Sequence, residues 1–158
     1  TTDKAIGLFE KFHVFTKAEL ESRAEIQYET YAKAINIEAK AMIDIASKQI
    51  IPAVIKYTKS LADTVNSVTA AGAEASVQSE LLAETSGLLS DTKVALQKLI
   101  DLDKKSEEVP EGTELAHYFH EEIVPAMAEL RAPVDALEMI VDKEMWPMPS
   151  YGDLMFEV

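Results

Sequence analysis

The sequence predicts an all-α fold: a kinked antiparallel three-helix bundle with one overlong helix, a short N-terminal helix and an extended apolar C-terminal tail. Three observations carry this. Apolar residues recur in steps of three and four along most of the chain, the period of a helix with one buried face. Only five of the 158 residues are glycine, and β-branched alternation is nearly absent, which argues against sheets. The two interruptions that stop the period, "TAAGAEA" and "KKSEEVPEGT", divide the chain into three long helical stretches.

The elements follow in order. Residues 3–12 form a short amphipathic helix with Ile6, Phe9 and Phe12 inward. Thr16 is the N-cap of the next helix, with Glu19 at its third position, the reciprocal pair of a capping box; Phe15 and Leu20 flank it as a hydrophobic staple. From Leu20 a stripe runs through Ala24, Tyr28, Tyr31, Ile35, Ala39, Met42, Ala46, Ile50, Val54 and Tyr57 to Val68, predicting a helix over 17–71. Pro52 falls inside it. A proline removes a backbone donor and clashes with the carbonyl four residues back, yet the stripe keeps its phase, so the expectation is a kink. Gly72 is the C-cap candidate. The second helix is expected over 74–105, burying Val77, Leu81, Leu88, Ala95, Leu96, Leu99 and Leu102. The third is expected over 113–143, with Leu115, Phe119, Ile123, Met127, Leu130, Val134, Leu137 and Val141 inward and Pro125 and Pro133 inside.

"Ile50-Ile51-Pro52-Ala53-Val54" echoes "Ile123-Val124-Pro125-Ala126-Met127". Five residues are too few to call a repeat. If the two prolines lie level, residues 17–39 project beyond the other helices, and Leu20, Tyr28, Tyr31 and Ile35 need cover from another domain or subunit; a hinge near Asn36 would remove that need. The tail, "EMWPMPSYGDLMFEV", is apolar where a frayed end would be polar. Pro147 and Pro149 stiffen it, and Trp146, Tyr151 and Phe156 are its candidate contact residues, laid as a strap over the end of the bundle or as a hook onto another subunit.

Composition narrows the function classes. The net charge is −13. Residues 1–60 carry nine Lys/Arg and eight Asp/Glu, whereas residues 61–158 carry six and twenty. An acidic half of this kind disfavours nucleic acid and anionic membranes as partners. The absence of cysteine excludes disulfides, cysteine–zinc sites and thiol catalysis. The apolar runs are far shorter than a membrane span, and a cytoplasmic location fits. The first residue is Thr, not Met, as in a piece of a longer chain.

Two Glu-x-x-His motifs, Glu10/His13 and Glu114/His117, raise a di-iron carboxylate site. The first sits on the short leading helix and the second in a first helical turn, so ordinary surface polarity is the stronger reading. His117 and His120, with Glu121 or Glu114, could hold zinc, but so loose a pair on a helix carries little weight. No glycine-rich phosphate loop and no Gly-x-Ser-x-Gly elbow is present. Arg131 is placed to pair with Asp135. The residues thus describe a packing or assembly module with no catalytic, cofactor or metal site of its own. The other classes are an independent helical protein-interaction module and, remotely, a metal-carboxylate bundle.

Three stretches resemble one family. "FEKFHVFTKAELESR", "YETYAKAINIEAKAMIDIASKQIIPAV" and "ELRAPVDALEMIVDKEMWPMPSYGDLMFEV" are similar to the C-terminal region of type III glutamine synthetases. The ordered set Trp146-Pro147, Pro149, Tyr151-Gly152-Asp153-Leu154 and Phe156 is the most specific part. The resemblance implies a large bacterial ATP-dependent ligase joining glutamate and ammonia, with Mg²⁺ or Mn²⁺ holding the phosphates, built as a double-ringed dodecamer. None of that family's catalytic, metal or nucleotide residues matches a position here. The implied layout is the end of the upstream catalytic portion at 1–15, a helical bundle at 16–144 and a docking tail at 145–158. The implied partners are that catalytic portion and sister subunits.

Overall fold

The computed structural model describes residues 1–149 and 151–156, without the side chains of Tyr151 and Gly152. The described residues contain helices, turns and bends and no strand. In chain order the helices are α1 (Asp3–Lys11), α2 (Lys17–Ile45), α3 (Ile51–Ala70), α4 (Ser76–Ser106), α5 (Thr113–Tyr118), α6 (Val124–Glu138) and α7 (Tyr151–Phe156). A π-helical turn, Ala46–Ile50, joins α2 to α3, and a second, Phe119–Ile123, joins α5 to α6.

Two helix ends, the start of α2 and the end of α3, are built as the sequence signals them. Thr16 and Glu19 close the capping box: the Glu19 carboxylate accepts from the Thr16 amide at 2.8 Å and hydroxyl at 2.9 Å, and the Glu19 amide reaches the Thr16 hydroxyl oxygen at 3.3 Å. These bonds, the amide's first, and the charge of Arg23 hold the Glu19 carboxyl below its usual range. At the end of α3, Gly72 sits at φ 83° while its amide bonds Thr69 O and the Ala73 amide bonds Val68 O, a Schellman closure. The end of α1 is the same motif with histidine in the glycine position: His13 has φ 54°, its amide bonds Glu10 O, and the Val14 amide bonds Phe9 O.

The expected kink at Pro52 is a π-turn, and an identically placed π-turn precedes Pro125, each starting six residues before its proline. The Ile51 amide bonds Ala46 O and the Val124 amide bonds Phe119 O, five residues back instead of four. The widened turn takes the carbonyls that a proline cannot serve into another pattern and keeps the helix running. The pentapeptide echo is therefore also an echo in backbone geometry.

The chain divides into two compact units. Unit 1 comprises residues 1–40 and 101–125. Its buried residues include Ile6, Ala32, Ala39, Ala116, Phe119 and Ile123. Phe15 packs on Phe9 at 5.8 Å between ring centres and beneath the Arg23 guanidinium at 4.5 Å, fixing α1 against the start of α2. Tyr118 donates to Leu102 O at 3.0 Å; burial, then the charges of Glu122 and Asp103, push its phenol up. Phe12 is exposed, not inward, because it caps α1 after the last full turn.

Unit 2 comprises residues 41–100 and 126–158. Its centre is Ile50, Val54, Leu137 and Val141, with Tyr57, Leu88, Leu89, Val134 and Trp146 packed around them. Buried residues recur every seven positions, as Leu130 and Leu137 and as Thr85, Thr92 and Leu99, the spacing of coiled-coil-like seams. The second helix departs from expectation at two points. Val77 lies in its first turn and is 64% exposed, whereas Thr85 and Thr92 are fully buried. Their hydroxyls donate to Leu81 O and Leu88 O, so each buried polar group is satisfied within its own helix. The third helix ends at Glu138, five residues short of the expected 143, and closes in turns from Leu137 O to Ile140 and Val141. Arg131 pairs with Asp135 at 3.1 Å, as the spacing predicted, and Lys98 spans from α4 to Glu129 on α6.

Candidate functional site

Tyr28 and Tyr31 lie three apart on α2, and His117 and His120 lie three apart on the run from α5 into its π-turn. Unit 1 brings them together as two rungs. Tyr28 stands 6.5 Å from His117 between ring centres, and Tyr31 stands 6.4 Å from His120 with its hydroxyl 3.2 Å from Nδ1. The four rings, Gln27 and the buried Ala116 line a cleft of about 360 Å³. Glu121 reaches His117 Nδ1 at 3.9 Å.

These rungs correct the expected register. Both pairs are offset by 89 residues, whereas level prolines at 52 and 125 require 73. Residues 17–39 are not an unpartnered arm: α2 runs unbroken through Asn36, and residues 101–125 of the same chain cover it. Periodicity fixes which face is buried but not how far one helix slides along another. Leu20, Tyr28, Tyr31 and Ile35 are all half-buried. The histidines drew notice in the sequence as possible zinc ligands. The signal for ring partners was the matching spacing of three on both segments.

On the other flank of α2, Glu29, Lys33, Asn36, Glu111, Gly112 and Leu115 border a small cavity of about 80 Å³. Glu29 and Lys33 are ion-paired, and that bond holds the Lys33 ammonium above its usual range. Asn36 Oδ1 is buried without a hydrogen-bond partner.

The tail behaves in two parts. Residues 142–149 are non-helical, and Trp146 packs onto the unit 2 centre, as a local strap would. The last part is not an extended strap. Tyr151–Phe156 form a short helix tied back by Lys143 to Asp153 at 2.9 Å, and Leu154, Met155 and Phe156 face outward, Phe156 at 80% exposure. Pro149 forbids helix only up to its own neighbourhood; the residues after it are free to turn. The side chain of Tyr151 lies outside the described residues, as does all of Val158.

Among the described residues no group of three or more His, Asp or Glu could hold a metal ion, and no helix is long and apolar enough to cross a membrane. Glu10, of the first Glu-x-x-His motif, accepts the Lys17 amide at 3.1 Å.

Capped helix ends, buried rows at seven-residue spacing and one cleft lined by four rings define an all-helical fold. The comparisons fall in one family: the chain is similar to glutamine synthetases, type-3 members among them. Residues 1–69 match the family described as glutamine synthetase C-terminal domain. The chain is 32% identical to the type-3 glutamine synthetase of Dictyostelium discoideum over 98% of its own length and 22% of that protein. It is 29% identical to a glutamine synthetase of Butyrivibrio fibrisolvens and 28% identical to one of Bacteroides fragilis, over 99% and 90% of its length and 23% and 20% of theirs. The chain spans about a fifth of the length of the curated relatives it matches.

Proposed function

We propose that this chain is the non-catalytic, structural C-terminal region of an enzyme that makes glutamine from glutamate, ammonia and ATP. The observation that carries the reading is the extent of the similarity: nearly the whole chain aligns to a type-3 glutamine synthetase while occupying about a fifth of it. ATP and Mg²⁺ or Mn²⁺ belong to the remainder of such an enzyme, where they phosphorylate the γ-carboxylate for displacement by ammonia. Residues 1–15 pass from that catalytic portion into the helices, and residues 145–158 dock. Leu20, Tyr28, Tyr31, Ile35, Trp146, Tyr151 and Phe156 are the contact residues. Of these, Phe156 stands exposed on α7, and Tyr28 and Tyr31 line an open cleft. The whole enzyme is a cytoplasmic dodecamer in this reading.

The test is the complete protein encoded by the surrounding reading frame. Supplied with glutamate, ammonium, ATP and Mg²⁺ or Mn²⁺, it forms glutamine, and the 158-residue chain alone does not. A complete protein that forms no glutamine, or a stop codon immediately before Thr1, overturns the proposal.

A further inference from the structure

We propose that the Tyr28/Tyr31/His117/His120 cleft receives an arginine side chain presented by another polypeptide segment of the assembly. The inference rests on the docking role proposed above and names the chemistry of its partner. Two tyrosine rings and two imidazoles line one cleft together with the small buried Ala116. Aromatic faces carry the negative end of the ring quadrupole and attract cations, and a flat guanidinium stacks on them better than an ammonium does. No Lys or Arg lines the cleft to compete. The Gln27 amide, and Glu121 beside His117, supply acceptors for the outward N–H groups. Residues 101–125, which build one wall, carry eight Asp/Glu against two Lys, so the local field favours a cation. The same unit already stacks a guanidinium on a ring, Arg23 over Phe15 at 4.5 Å. The Tyr31–His120 hydrogen bond holds one rung in place before a partner arrives, which lowers the ordering cost of docking.

The probe is a short neutral-flanked peptide, acetyl-Gly-Ser-Arg-Gly-Ser-amide, titrated into the 158-residue chain and followed by two-dimensional NMR of the aromatic and amide resonances. Two further peptides carry citrulline or phenylalanine in place of arginine. The arginine peptide shifts the ring signals of Tyr28, Tyr31, His117 and His120 and binds at least tenfold more tightly than either of the others. Tyr28→Leu removes one ring without changing charge and weakens binding at least fivefold. Tyr31→Phe keeps the ring and retains most of the binding. Equal binding of citrulline overturns the proposal, and preference for phenylalanine assigns the cleft to an apolar partner instead. Unchanged arginine binding in a folded Tyr28→Leu chain reduces the effect to diffuse attraction by a −13 molecule and likewise overturns it. Any of these failures with glutamine synthesis intact in the complete protein leaves the functional reading standing and removes only the occupant.

Discussion

Leu99 and Val94 lie five residues apart on α4 and give opposite tests of which face of that helix is buried. Leu99 is fully buried, in the seven-residue row with Thr85 and Thr92, whereas Val94 is 70% exposed. Leu99→Ala removes three carbons, about 2.4 kcal/mol of transfer free energy at about 0.8 kcal/mol each. The cavity left behind adds to this, for a total of about 3 kcal/mol. A chain of this size loses about 2–4 °C of melting temperature per kcal/mol, so the midpoint falls by about 6–12 °C. Val94→Ala removes surface that is already wet and changes stability by less than about 0.5 kcal/mol. The assay is urea unfolding followed by circular dichroism, with calorimetry to detect separate melting of the two units. If the two substitutions cost the same within about 0.5 kcal/mol, the inward face of α4 is wrong, and the seven-residue seam falls with it.

Gly87 is exposed in the middle of α4, and an added Cβ there meets nothing within 4 Å; Gly87→Ala therefore raises stability by about 1 kcal/mol, read as a higher urea midpoint. His13→Gly relieves a left-handed backbone without losing either bond of the closure and stabilises by about 1 kcal/mol in the same assay. Thr16→Ala removes the N-cap and costs about 1 kcal/mol. Because Glu19 is held below the usual carboxylate range, its share of the capping box is fully present above that range and is lost as pH falls through the lowered value. The melting difference between the wild-type chain and Glu19→Gln is thus constant near neutrality and vanishes in acid.

Much of the fold was legible because helical periodicity is redundant. Every stripe residue from Leu20 to Val68, and from Leu115 to Val141, is at least half-buried. The losses have separate physical causes. Thr85 and Thr92 stand outside the expected buried face, which was drawn from apolar residues alone, yet both are buried because each hydroxyl is satisfied by its own helix four residues back. Val77 read as core because it fits the period, yet a first turn can extend past the packed surface. Pro52 and Pro125 announced an irregular backbone without saying that a π-turn would absorb it. At the candidate site, Tyr28 and Tyr31 were visible as an apolar pair. Their partners were hidden because the register between α2 and the 113–125 segment depends on packing over many residues, not on any short motif. The tail's apolar content predicted contact, which Trp146 makes; the turn of Tyr151–Phe156 into helix leaves Phe156 uncovered by the described chain.

The most direct test of the structural role is made in the complete enzyme with Leu130→Asp, a charge placed at a fully buried position of α6. Particle mass by analytical ultracentrifugation and glutamine formation are measured on the same sample. A structural role predicts that assembly and total activity fall together, while the remaining assembled fraction keeps its KM for glutamate and ATP. Full assembly with an altered KM, or full activity without assembly, would contradict it.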